Sequence, residues 1–112
     1  MPSAREVRPA KWTTTDTEIT VLFDNGEYSV ISGDYQEEPG TVAFPALGER
    51  WNGTAAGIGF PNVAGNPVWH VIPSFLARPV LHGLLDKLSA HPSDQSREYQ
   101  TAIINWLQQP SQ

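Results

Sequence analysis

The chain has 112 residues, enough for one domain with a sizeable core, and 39% of them are hydrophobic and 17% charged, a balance typical of folded globular proteins. It contains no cysteine, which excludes disulfides, thiolate metal sites and cysteine nucleophiles. The net charge is −5, and an acidic surface repels the phosphate backbone of nucleic acids.

Residues 1–11 differ in charge from the rest of the chain. Three basic side chains against Glu6 give this segment a charge of +2, which leaves −7 for residues 12–112 out of the total of −5. Because the segment contains Pro2 and Pro9 and shows no hydrophobic periodicity, we expect a flexible tail at 1–11 followed by a single domain at 12–112. The tail lacks the apolar core of a signal peptide, and no run approaches the roughly 18 apolar residues of a membrane span. The sequence therefore predicts a soluble, cytoplasmic protein without a membrane partner.

Asn25-Gly26 is the clearest turn signal in the chain. It lies between two runs rich in β-branched and aromatic residues, and Asn-Gly accepts the positive φ angles of a two-residue type I′ turn. A loop of this length pairs Phe23 with Tyr28 and Val21 with Val30. The predicted core face of the hairpin carries Ile19, Val21, Phe23, Tyr28 and Val30. The opposite face is a mixed, partly apolar surface.

Further strands are predicted on both sides of a second Asn-Gly turn. Residues 41–44 predict a short strand that Pro45 ends, and the extended pattern resumes at residues 49–51. Asn52-Gly53 is then the second hairpin signal. The returning strand at residues 54–60 is rich in glycine and alanine, which is typical of a bulge or a tight bend.

The glycine-rich residues 53–59 also invite comparison with a phosphate-binding loop. In such a loop, backbone N–H groups surround an anion at the start of a helix. No lysine follows here, and Pro61 comes before any helix, so we interpret the glycines as part of a bulged strand.

Residues 68–72 supply the last predicted strand. They are mostly apolar, which is typical of a central strand covered on both faces, and Pro73 ends the run. Four to five strands therefore precede the helical part of the chain.

The C-terminal third has the hydrophobic period of helices. Four leucines from Leu81 to Leu88 recur at i, i+3, i+4 and i+7, so a helix is predicted at residues 79–90, with residues 74–77 as an additional turn. Ser93 is the predicted N-cap of a second helix. The apolar stripe of that helix is Tyr99, Ala102, Ile103, Trp106 and Leu107. The fold class is therefore α+β: a strongly curled antiparallel meander of four to five strands, followed by two helices packed on one face.

No set of residues in the sequence predicts a particular reaction. The histidines are poorly spaced for a metal site. His82 and Asp86, at i and i+4, could bind a metal together with His70, but such a pair more often forms a surface hydrogen bond. Ser74 lacks the flanking glycines of a nucleophile elbow. Glu37 and Glu38 are adjacent in an exposed loop, where carboxylates stay solvated. We therefore predict no catalytic residue, no metal and no cofactor.

Tryptophan is abundant, with four in 112 residues. Large rings beside polar side chains line both ligand pockets and protein interfaces, and packing in the core is the alternative interpretation. One such group surrounds the second turn and the last strand. The residues that we predict to bind a ligand or partner are Arg50, Trp51, Asn52, Phe60, Trp69 and His70.

These features favour a non-enzymatic interaction protein that acts as a homo-oligomer or docks a protein partner. The reasons are the lack of a converging catalytic set and the presence of Leu22 and Ile31 on the second hairpin face. The alternative is a small-molecule-binding protein or small enzyme with an aromatic pocket around Trp51, Trp69 and His70. A nucleic-acid accessory is disfavoured by the acidic body and depends on the basic tail alone.

Overall fold

A computed structural model describes residues 19–36, 42, 44–52, 59, 61–63, 66–67 and 69–109. Its elements are β1 (Thr20–Asp24), β2 (Tyr28–Tyr35), β3 (Phe44–Trp51), β4 (Asn62–Val63), β5 (Asn66–Pro67), β6 (His70–Val71), α1 (Ser74–Ala90) and α2 (Asp94–Leu107). The predicted tail at 1–11 and all of the predicted strand at 54–60 except Gly59 lie outside the described residues.

The main sheet is antiparallel, with the strand order β1-β2-β3-β6, and β4 pairs with β5 separately. The sheet is not closed, and β1 and β6 form its edges. Both helices pack on one face, with α2 against β1 and α1 against β3. The predicted α+β class is therefore confirmed. Within the described residues, neither helix has the length and apolar character needed to cross a membrane.

The predicted hairpin is present, but its predicted register is wrong. Phe23 pairs with Val30 rather than with Tyr28. The cause lies in the turn, where Asn25 Oδ1 accepts hydrogen bonds from the backbone N–H groups of Glu27 and Tyr28, each at 2.9 Å. An asparagine that caps the turn from its first position moves the two central residues one place along the chain.

A bulge at Leu22 changes the register a second time. It interrupts β1 between Val21 and Phe23, and beyond it Val21 pairs with Ile31. Because an inserted residue reverses the alternation of side chains, Leu22 and Phe23 both reach the side of the sheet that faces the helices. The predicted single core face is therefore wrong, since Ile19 and Val21 lie on the other side.

Buried apolar side chains cover both sides of the sheet. The helix-facing core consists of Leu22, Phe23, Val30, Leu47, Ile72, Ala77, Leu81, Leu88 and Ile103. The outer core, on the other side, consists of Ile19, Ile31, Ala46 and Trp69. Leu22 and Ile31 are both fully buried, so the prediction that they belong to a mixed surface is also wrong.

β3 is one continuous strand and does not end at Pro45. Pro45 pairs with Asp34 in β2, whereas β6 pairs only with Gly48 and Glu49. Within the described residues, β3 therefore has a neighbour on one side only at Pro45. A proline is tolerated there because its nitrogen can face away from the ladder.

The predicted central strand at 68–72 is instead a short edge strand. β6 comprises only His70 and Val71, and it pairs with β3. The flanking apolar residues are buried in different places, since Trp69 lies in the outer core and Ile72 in the helix-facing core. The continuous apolar run at residues 68–72 therefore reflects burial on both sides of the sheet, although the strand lies at the edge of the sheet rather than at its centre.

α1 begins at Ser74 rather than near Pro79. The predicted additional turn at 74–77 is continuous with the helix, and Pro79 lies inside it. A proline in the interior removes one backbone hydrogen bond, and packing of the leucine stripe against the sheet offsets that loss. Leu81 and Leu88 are buried, as the leucine period predicts.

α2 presents its predicted apolar stripe to the sheet. Ile103 is fully buried, and the other stripe residues pack around it in the helix-facing core. Two hydrogen bonds fix the position of the helix. The Ser96 hydroxyl donates to the Leu88 carbonyl at 2.9 Å, and the Tyr99 hydroxyl donates to the Asp24 carbonyl at 3.2 Å.

The N-terminus of α2 provides a first prediction. Ser93 is its N-cap, and the Ser93 Oγ accepts a hydrogen bond from the Ser96 backbone N–H at 3.0 Å. Ser93→Ala is expected to lower the free energy of unfolding by about 1 kcal/mol, a fall in melting temperature of roughly 5 °C, measurable by calorimetry. Ser93→Asn keeps the acceptor and is expected to change little. Equal losses in both variants would contradict the capping role.

Candidate functional site

Strand alternation separates the predicted binding residues into two groups. Trp51 and His70 lie on the helix-facing side of the sheet, together with the residues that pair with them. Arg50, Asn52 and Trp69 lie on the side of the outer core. The structure therefore does not bring Trp51 and Trp69 together around one pocket.

Asn52 is positioned to hold the hairpin turn against the sheet. It is 1% exposed, and its backbone N–H donates to the Glu27 carbonyl at 2.7 Å. Its Oδ1 accepts from the Ser29 hydroxyl at 2.9 Å, and its Nδ2 donates to Asp24 Oδ1 at 3.2 Å. These bonds join the end of β3 to both strands of the hairpin, so the role of Asn52 is structural.

Arg50 and Trp69 are also buried. Arg50 Nη1 donates to the Pro61 carbonyl at 3.4 Å, and burial lowers the pKa of the guanidinium below its ordinary value. Trp69 packs with Ile31 in the outer core. Neither side chain is presented to solvent. Phe60 lies outside the described residues.

Trp51 and His70 belong to a surface group with Tyr28 and Glu49, which we call the Trp51 cluster. Tyr28 lies directly opposite Trp51, and their ring centroids are 5.0 Å apart with the planes inclined at 56°. Glu49 lies opposite His70. The Tyr28 hydroxyl donates to Glu49 Oε1, and His70 Nδ1 lies 3.2 Å from Glu49 Oε2.

One carboxylate therefore holds both a phenol and an imidazole in place. Burial, together with the hydrogen bond to Glu49, raises the pKa of Tyr28, so its hydroxyl remains a donor. Because an ionised carboxylate can only accept, a neutral His70 carries its hydrogen on Nδ1 and leaves Nε2 as an acceptor. Trp51 is 57% exposed. The cluster thus offers an aromatic face, a negative charge and an imidazole nitrogen at one surface.

A groove of about 410 Å³ opens at the other end of β3. It lies between the start of β3, the chain after β6, the start of α1 and the end of α2. Its main lining residues are Phe44, Leu47, Val71, Phe75, Arg78 and Trp106. Arg78 Nη2 donates to the Leu107 carbonyl at 3.1 Å, which ties the start of α1 to the end of α2 beside the groove.

Two lining residues of the groove are exposed apolar side chains, Phe75 at 78% and Phe44 at 41%. Leu76, which follows Phe75 in α1, is 40% exposed. No predicted binding residue lines this groove, so it was missed by sequence reasoning. A signal for it exists: at about 100° per residue, Phe75 and Leu76 both point more than about 120° away from the stripe that begins at Leu81. Large apolar side chains off the core stripe of a helix indicate an exposed apolar surface.

Neither a metal site nor a similar protein identifies the function of the two surfaces. Among the residues that the structure describes, no three His, Asp or Glu side chains converge as a metal site requires. The chain matches no known protein family, and no characterised protein or solved structure is significantly similar to it. Function is therefore inferred from the groove and the Trp51 cluster themselves.

Proposed function

We propose that the protein is a non-enzymatic interaction module that acts as a homodimer through the groove. The supporting observation is that a hole and a projecting side chain lie side by side on one surface: the groove measures about 410 Å³, and Phe75 at its rim is 78% exposed. In a two-fold interface the same patch meets itself. A recess beside a projecting apolar side chain supports such self-association, because each copy can offer both to the other.

In the proposed dimer, Phe75 of each copy enters the groove of the other. Phe44 and Trp106 line the groove, so the inserted ring meets aromatic neighbours, and aromatic pairs add to the free energy gained from burial. A stable interface covers about 800 Å² per partner, more than one ring supplies. Val42 and Leu76 are also exposed and lie within two residues of lining residues in the chain, so the proposed interface includes them.

This proposal rests on a different surface from the one that the sequence suggested. Leu22 and Ile31, on which the sequence-based interpretation relied, are buried in the two cores. Among the described residues, Phe75 and Leu76 at the start of α1 are exposed apolar side chains, and the proposal rests on this region. The proposal is therefore still self-association, but through the groove rather than through the hairpin face of Leu22 and Ile31.

Phe75→Glu is expected to dissociate the dimer. A charge placed in an apolar interface loses the contact and adds a desolvation cost, so the dimer dissociation constant should rise at least about thirtyfold. Sedimentation equilibrium should find the wild-type protein at twice the chain mass of 12.3 kDa. The variant should be found at the chain mass over the same concentration range.

The matched control is Ile104→Glu. Ile104 is also an exposed large apolar residue, at 43%, but it lies on α2 and does not line the groove. This variant is expected to remain dimeric. A wild-type protein that stays monomeric at millimolar concentration would reject the proposal, as would equal dissociation of the two variants.

A further inference from the structure

The Trp51 cluster and the proposed dimer surface share no residue. Trp51 is at the end of β3, roughly 23 Å of strand from Phe44 at about 3.3 Å per residue, while the lining residues Leu47 and Val71 adjoin Glu49 and His70. We propose that the Trp51 cluster is a binding site for an organic cation, either a quaternary ammonium or a guanidinium group. This site does not depend on dimer formation.

The exposed ring of Trp51 is the first element of this site. Trp51 is 57% exposed, and its ring packs at a tilt of 56° against Tyr28, so more than half of the residue is accessible to a ligand. Indole has the strongest cation–π attraction of the aromatic side chains, and it acts on a cation within about 6 Å of the ring centre.

The carboxylate of Glu49 is the second element. Glu49 and Trp51 are two residues apart on β3, so both side chains project from the same face of the sheet. Tyr28 fixes one carboxylate oxygen by donating a neutral hydroxyl, and such a bond orients the group without cancelling its charge. In the described part of the chain, Glu49 pairs with the His70 imidazole and with no lysine or arginine. Its negative charge is therefore available to a ligand.

The arrangement is set before any ligand binds. Tyr28 packs against Trp51 and also donates to Glu49, so one side chain positions both the ring and the charge. His70 holds the second carboxylate oxygen at 3.2 Å. A preorganised site loses less side-chain entropy on binding. The net charge of −5 additionally raises the local concentration of cations.

The test is an NMR titration that monitors the indole N–H signal of Trp51, assigned by its loss in Trp51→Leu. The probes are choline, its neutral carbon analogue 3,3-dimethylbutan-1-ol and N-acetylarginine amide. At least one cation is expected to shift this signal with saturation, and the neutral analogue should bind about fivefold to thirtyfold more weakly than choline. The cation that binds more tightly shows whether the site prefers a quaternary ammonium or a guanidinium group. Equal binding of choline and its neutral analogue, or no shift with either cation, would overturn the proposal.

Glu49→Gln separates the charge from the shape of the site. The amide can still accept from Tyr28 and keeps the side-chain volume, so affinity for the cation should fall while the melting temperature changes little. Glu98→Gln removes a carboxylate from the exposed face of α2 and is the control for net charge. Unchanged cation affinity in Glu49→Gln would show that the carboxylate plays no part. The comparison of choline with its analogue in the wild-type protein remains decisive if the variant is unstable.

Discussion

Asn52→Asp is expected to destabilise the protein by roughly 3–5 kcal/mol at pH 7, the range for an uncompensated buried charge. Asn52 is 1% exposed, and its Nδ2 donates to Asp24 Oδ1 at 3.2 Å. An aspartate at position 52 replaces that donor with a second carboxylate oxygen. Two carboxylates then face each other without solvent between them. The melting temperature should fall by roughly 15 °C or more.

The loss should depend on pH in a definite direction. Burial and the neighbouring Asp24 both raise the folded-state pKa of the new carboxyl above its unfolded value of about 4. The penalty is therefore absent below the unfolded pKa and grows as the pH rises toward the folded pKa. Urea unfolding at several pH values between about 4 and 7 should show the variant approaching the wild-type protein as the pH falls.

Two comparisons isolate the cause of this loss. Asn105→Asp introduces the same charge at an exposed position in the last turn of α2, where the helix dipole disfavours it by no more than about 1 kcal/mol, so a much smaller loss is expected. Asn52→Ala removes the bonds to Ser29 and Asp24 without adding a charge, so about 1–3 kcal/mol of destabilisation with little pH dependence is expected. If Asn52→Asp were as stable as the wild-type protein at pH 7, the buried role of Asn52 would be wrong.

The helices could be predicted well because their signals are local. The leucine period and the Ser93 cap each involve residues within a few positions of one another. The predicted apolar faces of both helices are the faces that are buried against the sheet. The exception is the start of α1. Pro79 suits a first turn, yet it lies inside the helix, because packing of the leucine stripe against the sheet outweighs the hydrogen bond that a proline removes.

The sheet was predictable only in outline, because register depends on details that a pattern does not contain. The side chain of Asn25 caps the turn, and Leu22 forms a bulge. Either change alone alters which residues face each other. The bulge also reverses which face of the sheet each side chain of β1 points to. Alternation counted from Phe23 therefore assigns Val21 to the wrong face.

The candidate site shows the same limit. The sequence analysis selected Trp51 and His70 because aromatic and imidazole side chains are distinctive by type. Tyr28 and Glu49 were not selected, since only the pairing of β2 with β3 and of β3 with β6 brings them to the other two. Composition therefore indicated residues of β3 and β6, while the members of the proposed site depend on contacts between residues that are distant in the chain.

Ile103→Ala is expected to cost about 2–5 kcal/mol, because it opens a cavity between α2 and the sheet. Ile103 is 0% exposed in the helix-facing core, where packed neighbours cannot fill the space fully. Small domains of this kind have a total stability of about 5–15 kcal/mol. Urea unfolding should therefore show a large fall in the midpoint with little change in the slope.

Ile104→Ala is a closely matched comparison, since it makes the same change one residue along the same helix. The gain in helix propensity from isoleucine to alanine is equal at both positions and cancels in the difference. Ile104 is 43% exposed, so its replacement should cost less than about 1 kcal/mol. Equal losses at the two positions would mean that α2 does not bury the face assigned to it. Because Tyr99 and Ser96 fix the hairpin turn and the end of α1 to that same helix, such a result would also remove the basis for placing the groove beside the end of α2.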